Sequence, residues 1–310
     1  MDWHFVIITL IKVVCVFAVI MPMVAYSVVA ERRISAFIQD RIGPNRVGPL
    51  GLLQPAADAV KALLKEDFTP DYVRKAYFWL APAITFIPAF MTIAVIPFGS
   101  NIGGQKAVIA DLNVGILYTF GIVSLGVYGI VLAGYASNSK YPFLGGIRSS
   151  AQMISYEIAM GMAVIPVFMM VGDLNLSSVI KYQSEHGWLI LYAPISFFIF
   201  LVSSFAETNR LPFDLPESET ELVAGYNTEY SSMRFAMFFM GEYSNMIAAS
   251  AMMVTLFFGG WTLPGFSMPA GSGEIAIGLA HIGIFIVKLA FFMVLFIWVR
   301  WMLPRFRYDQ

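Results

Sequence analysis

The stretch IAIGLAHIGIFIVKLAFFMVLFIWVRWML, residues 275–303, decides the fold class, because only His281, Lys288 and Arg300 can ionise within it. A bilayer core of roughly 30 Å needs about 20 apolar residues as helix, since in hydrocarbon every backbone amide must be satisfied inside its own segment. Working outward, six further runs meet that length, at 4–30, 76–98, 112–136, 151–172, 188–206 and 235–261. The expectation is an all-α polytopic membrane protein, one membrane domain over 1–310 with seven transmembrane helices. Prolines 22, 82, 88, 166 and 194 interrupt several runs, and neighbouring helices re-satisfy the carbonyls they free. Composition agrees: 58% of the 310 residues are hydrophobic and 13% charged, against about 50% and about 25% in soluble domains. Mean hydropathy is +0.73. A soluble globular enzyme is excluded.

Nineteen Lys and Arg against 20 Asp and Glu leave a net charge of −1, so no overall field draws nucleic acid or another polyanion. One cysteine, Cys15, and three scattered histidines, His4, His186 and His281, cannot by themselves hold a disulfide, an iron–sulfur cluster or a structural zinc. Gly271-Ser-Gly-Glu-Ile-Ala276 fits a G-x-G-x-x-A pattern, yet no strand precedes it and a long apolar helix follows, so it does not read as a dinucleotide site. Any electrons must be carried by another chain.

Position, rather than total charge, is informative. Segment 31–75 holds eight Lys and Arg, 137–150 two, 207–234 two and the C-terminal end three; the alternate segments hold two in all, Lys106 and Lys181. The positive-inside rule then places the N-terminus outside and the four basic segments in the cytoplasm. The first span lacks a basic leader region, carries Lys12 and runs into Glu31-Arg32-Arg33, which is not the pattern of a cleaved signal peptide. After the turn-rich Gly43–Pro49, residues 50–65 place Leu53, Ala56, Ala57, Val60, Leu63 and Leu64 on one face and Gln54, Asp58, Lys61 and Lys65 on the other. That spacing predicts an amphipathic helix lying in the cytoplasmic interface, as an anchor or as the wall of a cavity open to lipid.

Four ionisable residues fall inside spans: Lys12, Glu157, Glu242 and Lys288. Each costs about 2.5–3.5 kcal/mol at mid-membrane unless paired or wetted. Helix-to-helix pairing, for example of Lys288 with a glutamate, is the structural reading. Glu157 and Glu242 each lie about seven residues from the cytoplasmic end of their span, about 10 Å deep at 1.5 Å per residue, and so share a layer. Glu207 ends the fifth span, and the loop beyond it carries Asp214, Glu217, Glu219, Glu221 and Glu229 against Arg210 and Arg234. Carboxylates descending from loop to membrane can exchange protons near neutral pH, because burial and like charges raise carboxyl pKa values. The loop alone also fits a solvated acidic surface or a dock for a basic partner. Tyr156, Tyr226, Tyr230, Tyr243 and Asn245 could carry protons or water between them.

Glu31–Pro49, Gly51–Asp58, Ala136-Ser-Asn-Ser-Lys-Tyr141, Ser155-Tyr-Glu157, Ala206-Glu-Thr-Asn-Arg-Leu-Pro-Phe-Asp214, Glu219–Gly225 and Pro304–Gln310 closely resemble the H subunit of respiratory complex I, the proton-pumping NADH:quinone oxidoreductase. The resemblance runs in order from residue 31 to the end. It implies a subunit at the junction of the electron-transfer arm and the membrane arm, in a bacterial inner membrane or another energy-converting membrane. Quinone would be the substrate, with flavin and iron–sulfur clusters held by partner subunits. By the same resemblance Arg32, Phe37, Arg41, Asp58 and Arg300 are candidates for the quinone chamber. Glu157, Glu207, Asp214, Glu217, Glu219, Glu221 and Glu242 match an acidic chain leading toward the pumping subunits. The family has an eighth helix beyond the Arg-Tyr-Asp-Gln motif, where this sequence ends. Two other functions are compatible with buried charges in broken helices. A stand-alone ion or proton transporter would work without a redox partner, and the membrane anchor of an energy-converting hydrogenase would share the acidic layer without requiring quinone.

Overall fold

A computed structural model describes residues 3–102, 104–215, 219–264 and 273–306. Among these the helices are α1 (Trp3–Ile38), α2 (Gln54–Leu64), α3 (Lys75–Met91), α4 (Gly115–Ala136), α5 (Lys140–Val171), α6 (Leu176–His186), α7 (Pro194–Glu207), α8 (Glu219–Leu222), α9 (Ser232–Phe257) and α10 (Glu274–Met302). One antiparallel two-residue hairpin, β1 (Asn101–Ile102) with β2 (Gln105–Lys106), lies between α3 and α4. The all-α class stands. Five segments are long and apolar enough to cross a membrane: Val6–Ile38, Lys75–Val95, Gly115–Ala136, Lys140–Val171 and Glu274–Met302.

The other two expected spans differ for physical reasons. The fifth, 188–206, breaks at Ala193 after a 3-10 turn over Leu189–Leu191, which leaves α7 with 14 residues, about 21 Å. The sixth is 26 residues long, but Arg234, Glu242, Tyr243 and Asn245 lower its hydropathy. Protein surrounds it instead of lipid. Residues 246–248 and 250–257 of α9 are all buried, and α1, α3, α6, α7 and α10 pack around it. Two further boundaries differ. The expected loop 137–150 is mostly the start of α5, and the helix of the first span continues eight residues past 30.

Close packing of α3, α4 and α5 rests on small residues, as is usual where lipid supplies no hydrophobic drive between helices. A Cβ on Gly134 would lie 2.6 Å from the Pro142 carbonyl oxygen, so α4 and α5 can meet there only through glycine. Sequence reasoning missed α6, an amphipathic helix capped by Asn175, whose side chain accepts from Ser177 N at 2.7 Å. Its Gln183 donates to the Thr255 and Leu256 carbonyls at 2.9 and 3.2 Å and so closes the C-terminal end of α9.

The expected amphipathic helix is α2, preceded by a 3-10 turn over Pro49–Gly51. It packs against α1 and α9 and buries none of its own residues, so Leu53, Val60, Leu63 and Leu64 remain exposed. Ser232, opening α9, donates to the Ala62 and Lys65 carbonyls at 2.9 Å each and ties down its C-terminal end.

Candidate functional site: a buried ion cluster between α1, α9 and α10

Ser27, Glu31 and Ser35 recur every four residues along α1 and are all buried, at 6%, 6% and 1% exposure. This polar stripe turns Glu31 into the protein. The carboxylate accepts from Arg210 Nη1 at 2.9 Å and from the Tyr243 hydroxyl at 2.7 Å, and it pairs with Arg300 from α10. Arg210, in the loop after α7, also places Nε 2.6 Å from Glu242 Oε1 on α9, and its guanidinium lies 4.3 Å over the Tyr243 ring. Two arginines thus face two glutamates, and the cluster is neutral. A guanidinium suits this place because its planar fork reaches two carboxylates at once. The glutamates beside it keep the Arg210 charge on, raising its pKa further although burial opposes the charged form. One layer outward, Arg305 pairs with Asp214 at 2.8 Å.

A second acidic pair has no such partner. Glu207, at the end of α7, is 6% exposed, and neither carboxylate oxygen has a hydrogen-bond partner among the described residues. The charged group acting on it is Glu157 of α5, which repels it. Glu157 in turn accepts from the Ser124 hydroxyl of α4. Gln152, one turn before Glu157, holds the chain on both sides of Glu207 by donating to the Ala206 and Phe213 carbonyls at 2.7 and 2.8 Å.

The expected acidic series is therefore divided. Glu242 is ion-paired, Glu157 and Glu207 form the unpaired couple, and Asp214 bridges to Arg305. Glu221 pairs with Arg148 at 2.7 Å near the surface. Glu219 lies in α8, and Glu217 falls outside the described residues. Of the chamber candidates, Arg32 and Asp58 meet at 2.7 Å and join α1 to α2. Arg300 belongs to the cluster around Glu31. Arg41 donates to the Gln39 side chain at 2.6 Å and to Ser35 at 3.3 Å, and Phe37 is 87% exposed, apart from both groups.

Sequence reasoning missed Glu31 and Arg210 as members of the site. By hydropathy alone Glu31 follows the first span and Arg210 is one more loop cation. The Ser27–Glu31–Ser35 spacing was the available signal for Glu31; nothing local identifies Arg210. The two buried lysines pair with no glutamate among the described residues. Lys288 donates to the Phe258, Gly260 and Thr262 carbonyls at 2.6, 2.9 and 2.5 Å, and Lys12 to the Lys106 and Val108 carbonyls at 2.9 and 3.2 Å. Each neutralises loose backbone acceptors at the end of the molecule remote from the cluster. The Gly271 pattern begins outside the described residues, and Glu274 opens α10 without a preceding strand among the described ones.

Comparisons with known proteins carry the assignment further. A family model described as NADH dehydrogenase matches residues 11–310. The first of two H subunits of NADH-quinone oxidoreductase in Cytophaga hutchinsonii is 48% identical over 302 residues, covering 96% of this chain and 88% of the relative. The NADH-quinone oxidoreductase H subunit of Deinococcus deserti is 49% identical over 314 residues, 100% of this chain and 79% of the relative. NADH-quinone oxidoreductase subunit 8 of Rhodothermus marinus is 51% identical over 292 residues, 91% of this chain and 84% of the relative.

Proposed function

From the premise that this chain belongs to the family of H subunits of NADH-quinone oxidoreductase, we propose that it couples quinone chemistry to proton movement through the buried cluster of Glu31, Arg210, Glu242 and Arg300. As a membrane subunit of that enzyme complex it works with the complex's other subunits. In this reading α1, α2 and α9 wall a chamber that quinone enters sideways from the bilayer, past the exposed apolar face of α2. The Arg32–Asp58 pair stands at its rim and Arg300 faces its inner wall. The basic ends of the spans lie in the cytoplasm, and the electrons arrive from a cluster in a partner subunit.

The chemistry that follows is electrostatic. Reduction places negative charge, and then protons, near Arg32, Arg300 and Asp214. An anion beside Arg300 competes with Glu31 for that guanidinium, and Arg210 shifts its weight between Glu31 and Glu242. A carboxylate losing its cation in a low-dielectric site takes a proton. The change reaches Glu207 and Glu157, whose burial and mutual repulsion favour a shared proton, and passes laterally to neighbouring subunits. The chain supplies preorganised charge rather than a redox centre.

The observation that carries this reading is that one arginine binds carboxylates from two different helices while an unpaired buried glutamate couple lies beyond it. Glu242→Gln and Glu157→Gln in the assembled complex should lower protons moved per quinone reduced while leaving electron transfer from NADH to an artificial acceptor intact. Wild-type proton yield in both variants would remove the relay.

A further inference from the structure

At the end of the molecule opposite the ion cluster, a slot of about 460 Å³ lies between the first halves of α1 and α10, with Ile247 and Ala251 of α9 at its back. That volume is in the range of about 300–1,000 Å³ typical of pockets that hold small ligands. Its floor is apolar and packed, with Ile96 at 2%, Ala251 at 3% and Leu289 at 4% exposure, while the rim side chains Ile11, Cys15 and Val19 are exposed on the lipid side of α1. The slot is a greasy channel reached from the bilayer. Only one end of it is polar, and that end is built by Lys12, Gln105 and Lys106.

The charge at that end is positive. Lys106 is neutralised by Asp111, while Lys12 has no carboxylate partner among the described residues and is held by two carbonyl oxygens, which leaves one ammonium proton free. In the adjoining polar cavity of about 680 Å³, Lys181 and Glu274 offset one another. The surplus is Lys12. It lies 19 residues from Glu31 along α1, about 28 Å at 1.5 Å per residue, so the slot opens in the other leaflet and is separate from any chamber at the cluster.

We propose that this slot holds one acyl chain of an anionic phospholipid, whose phosphate accepts from Lys12 at the β1–β2 hairpin. An acyl chain fits a narrow apolar channel entered from lipid, and a phosphate satisfies a cation that no side chain neutralises. The inference does not depend on the relay described above. Bound there, the lipid fastens the start of α1 to α9 and α10.

The test is photo-crosslinking of the assembled complex in phosphatidylcholine nanodiscs. A trace of phosphatidylglycerol, or of phosphatidylcholine with identical chains, carries a diazirine midway along one acyl chain, and adducts are mapped by peptide mass spectrometry. Adducts should concentrate at residues 11–20 and 282–289 and favour phosphatidylglycerol by about fivefold, the preference one lysine confers near an anionic lipid. Lys12→Met should make the two lipids equal. Ala251→Phe should abolish adducts at both segments, and Val19→Trp, at the rim, should do the same without touching the packed floor. Equal labelling by the two lipids in the wild type, labelling spread along the lipid face of α5, or adducts that persist with the slot filled would overturn the proposal.

Discussion

Arg210 shows how little of a buried charge's meaning is local. Its 2.9 Å and 2.6 Å contacts hold Glu31 and Glu242 together across α1 and α9. Arg210→Leu therefore leaves two buried carboxylates facing each other, and we expect a loss of about 3–5 kcal/mol, read as a lowered unfolding midpoint of the assembled complex. Arg210→Lys should recover only part of it, because a point charge cannot serve both carboxylates in the plane of a fork. Glu207 behaves in the opposite way. Its carboxylate is buried without a hydrogen-bond partner among the described residues, so Glu207→Gln should leave the unfolding midpoint unchanged or raise it while reducing proton yield. A fall in midpoint as large as that of Arg210→Leu would show that the carboxylate has a structural partner instead.

At the scale of elements, helix ends explain the ionisable residues that do not belong to the cluster. Lys288 binds three carbonyls just past α9, and its ammonium also lies 5.2 Å from the Trp188 ring centre. Lys288→Met should speed amide exchange in residues 258–262 by about tenfold or more, given about 1.5–3 kcal/mol for hydrogen bonds to a charged group. Unchanged exchange there would refute the capping role. Between the hairpin and α6, Asp111 ties Lys106 to Asn175 and Ser177. Partial burial pushes its carboxyl up, but the hydrogen bonds from Lys106, Asn175 and Ser177 outweigh this and hold it below its ordinary 3.8. The sign follows: the tether is fully present above pH 3.8 and is lost only as pH falls through the lower, folded value. Proteolysis of the 100–111 segment should accordingly be flat from pH 8 to about pH 5, well above that titration, and Asp111→Asn should increase it throughout.

For the whole molecule, polar residues at membrane depth sort into two classes. Lysines serve backbone carbonyls at one end, while glutamates and arginines meet at the other, where the proposed coupling takes place. Fold class, the amphipathic α2 and the spans over α1, α3, α4, α5 and α10 were legible because hydropathy and helical period are properties of consecutive residues. So were the depth of Glu157 and Glu242 and the family, which several motifs in register identify. The shortness of α7, the enclosure of α9 and the pairing of Arg210 were not legible, since each depends on which helices become neighbours. By itself the chain's order of residues determined that it enters a membrane and which ionisable groups go in with it, because the transfer of each segment from water depends on its own side chains. Only the tertiary structure decided which of those groups meet an opposite charge and which remain unpaired, because ion pairing within a few ångströms links residues as far apart as 31, 210, 242 and 300.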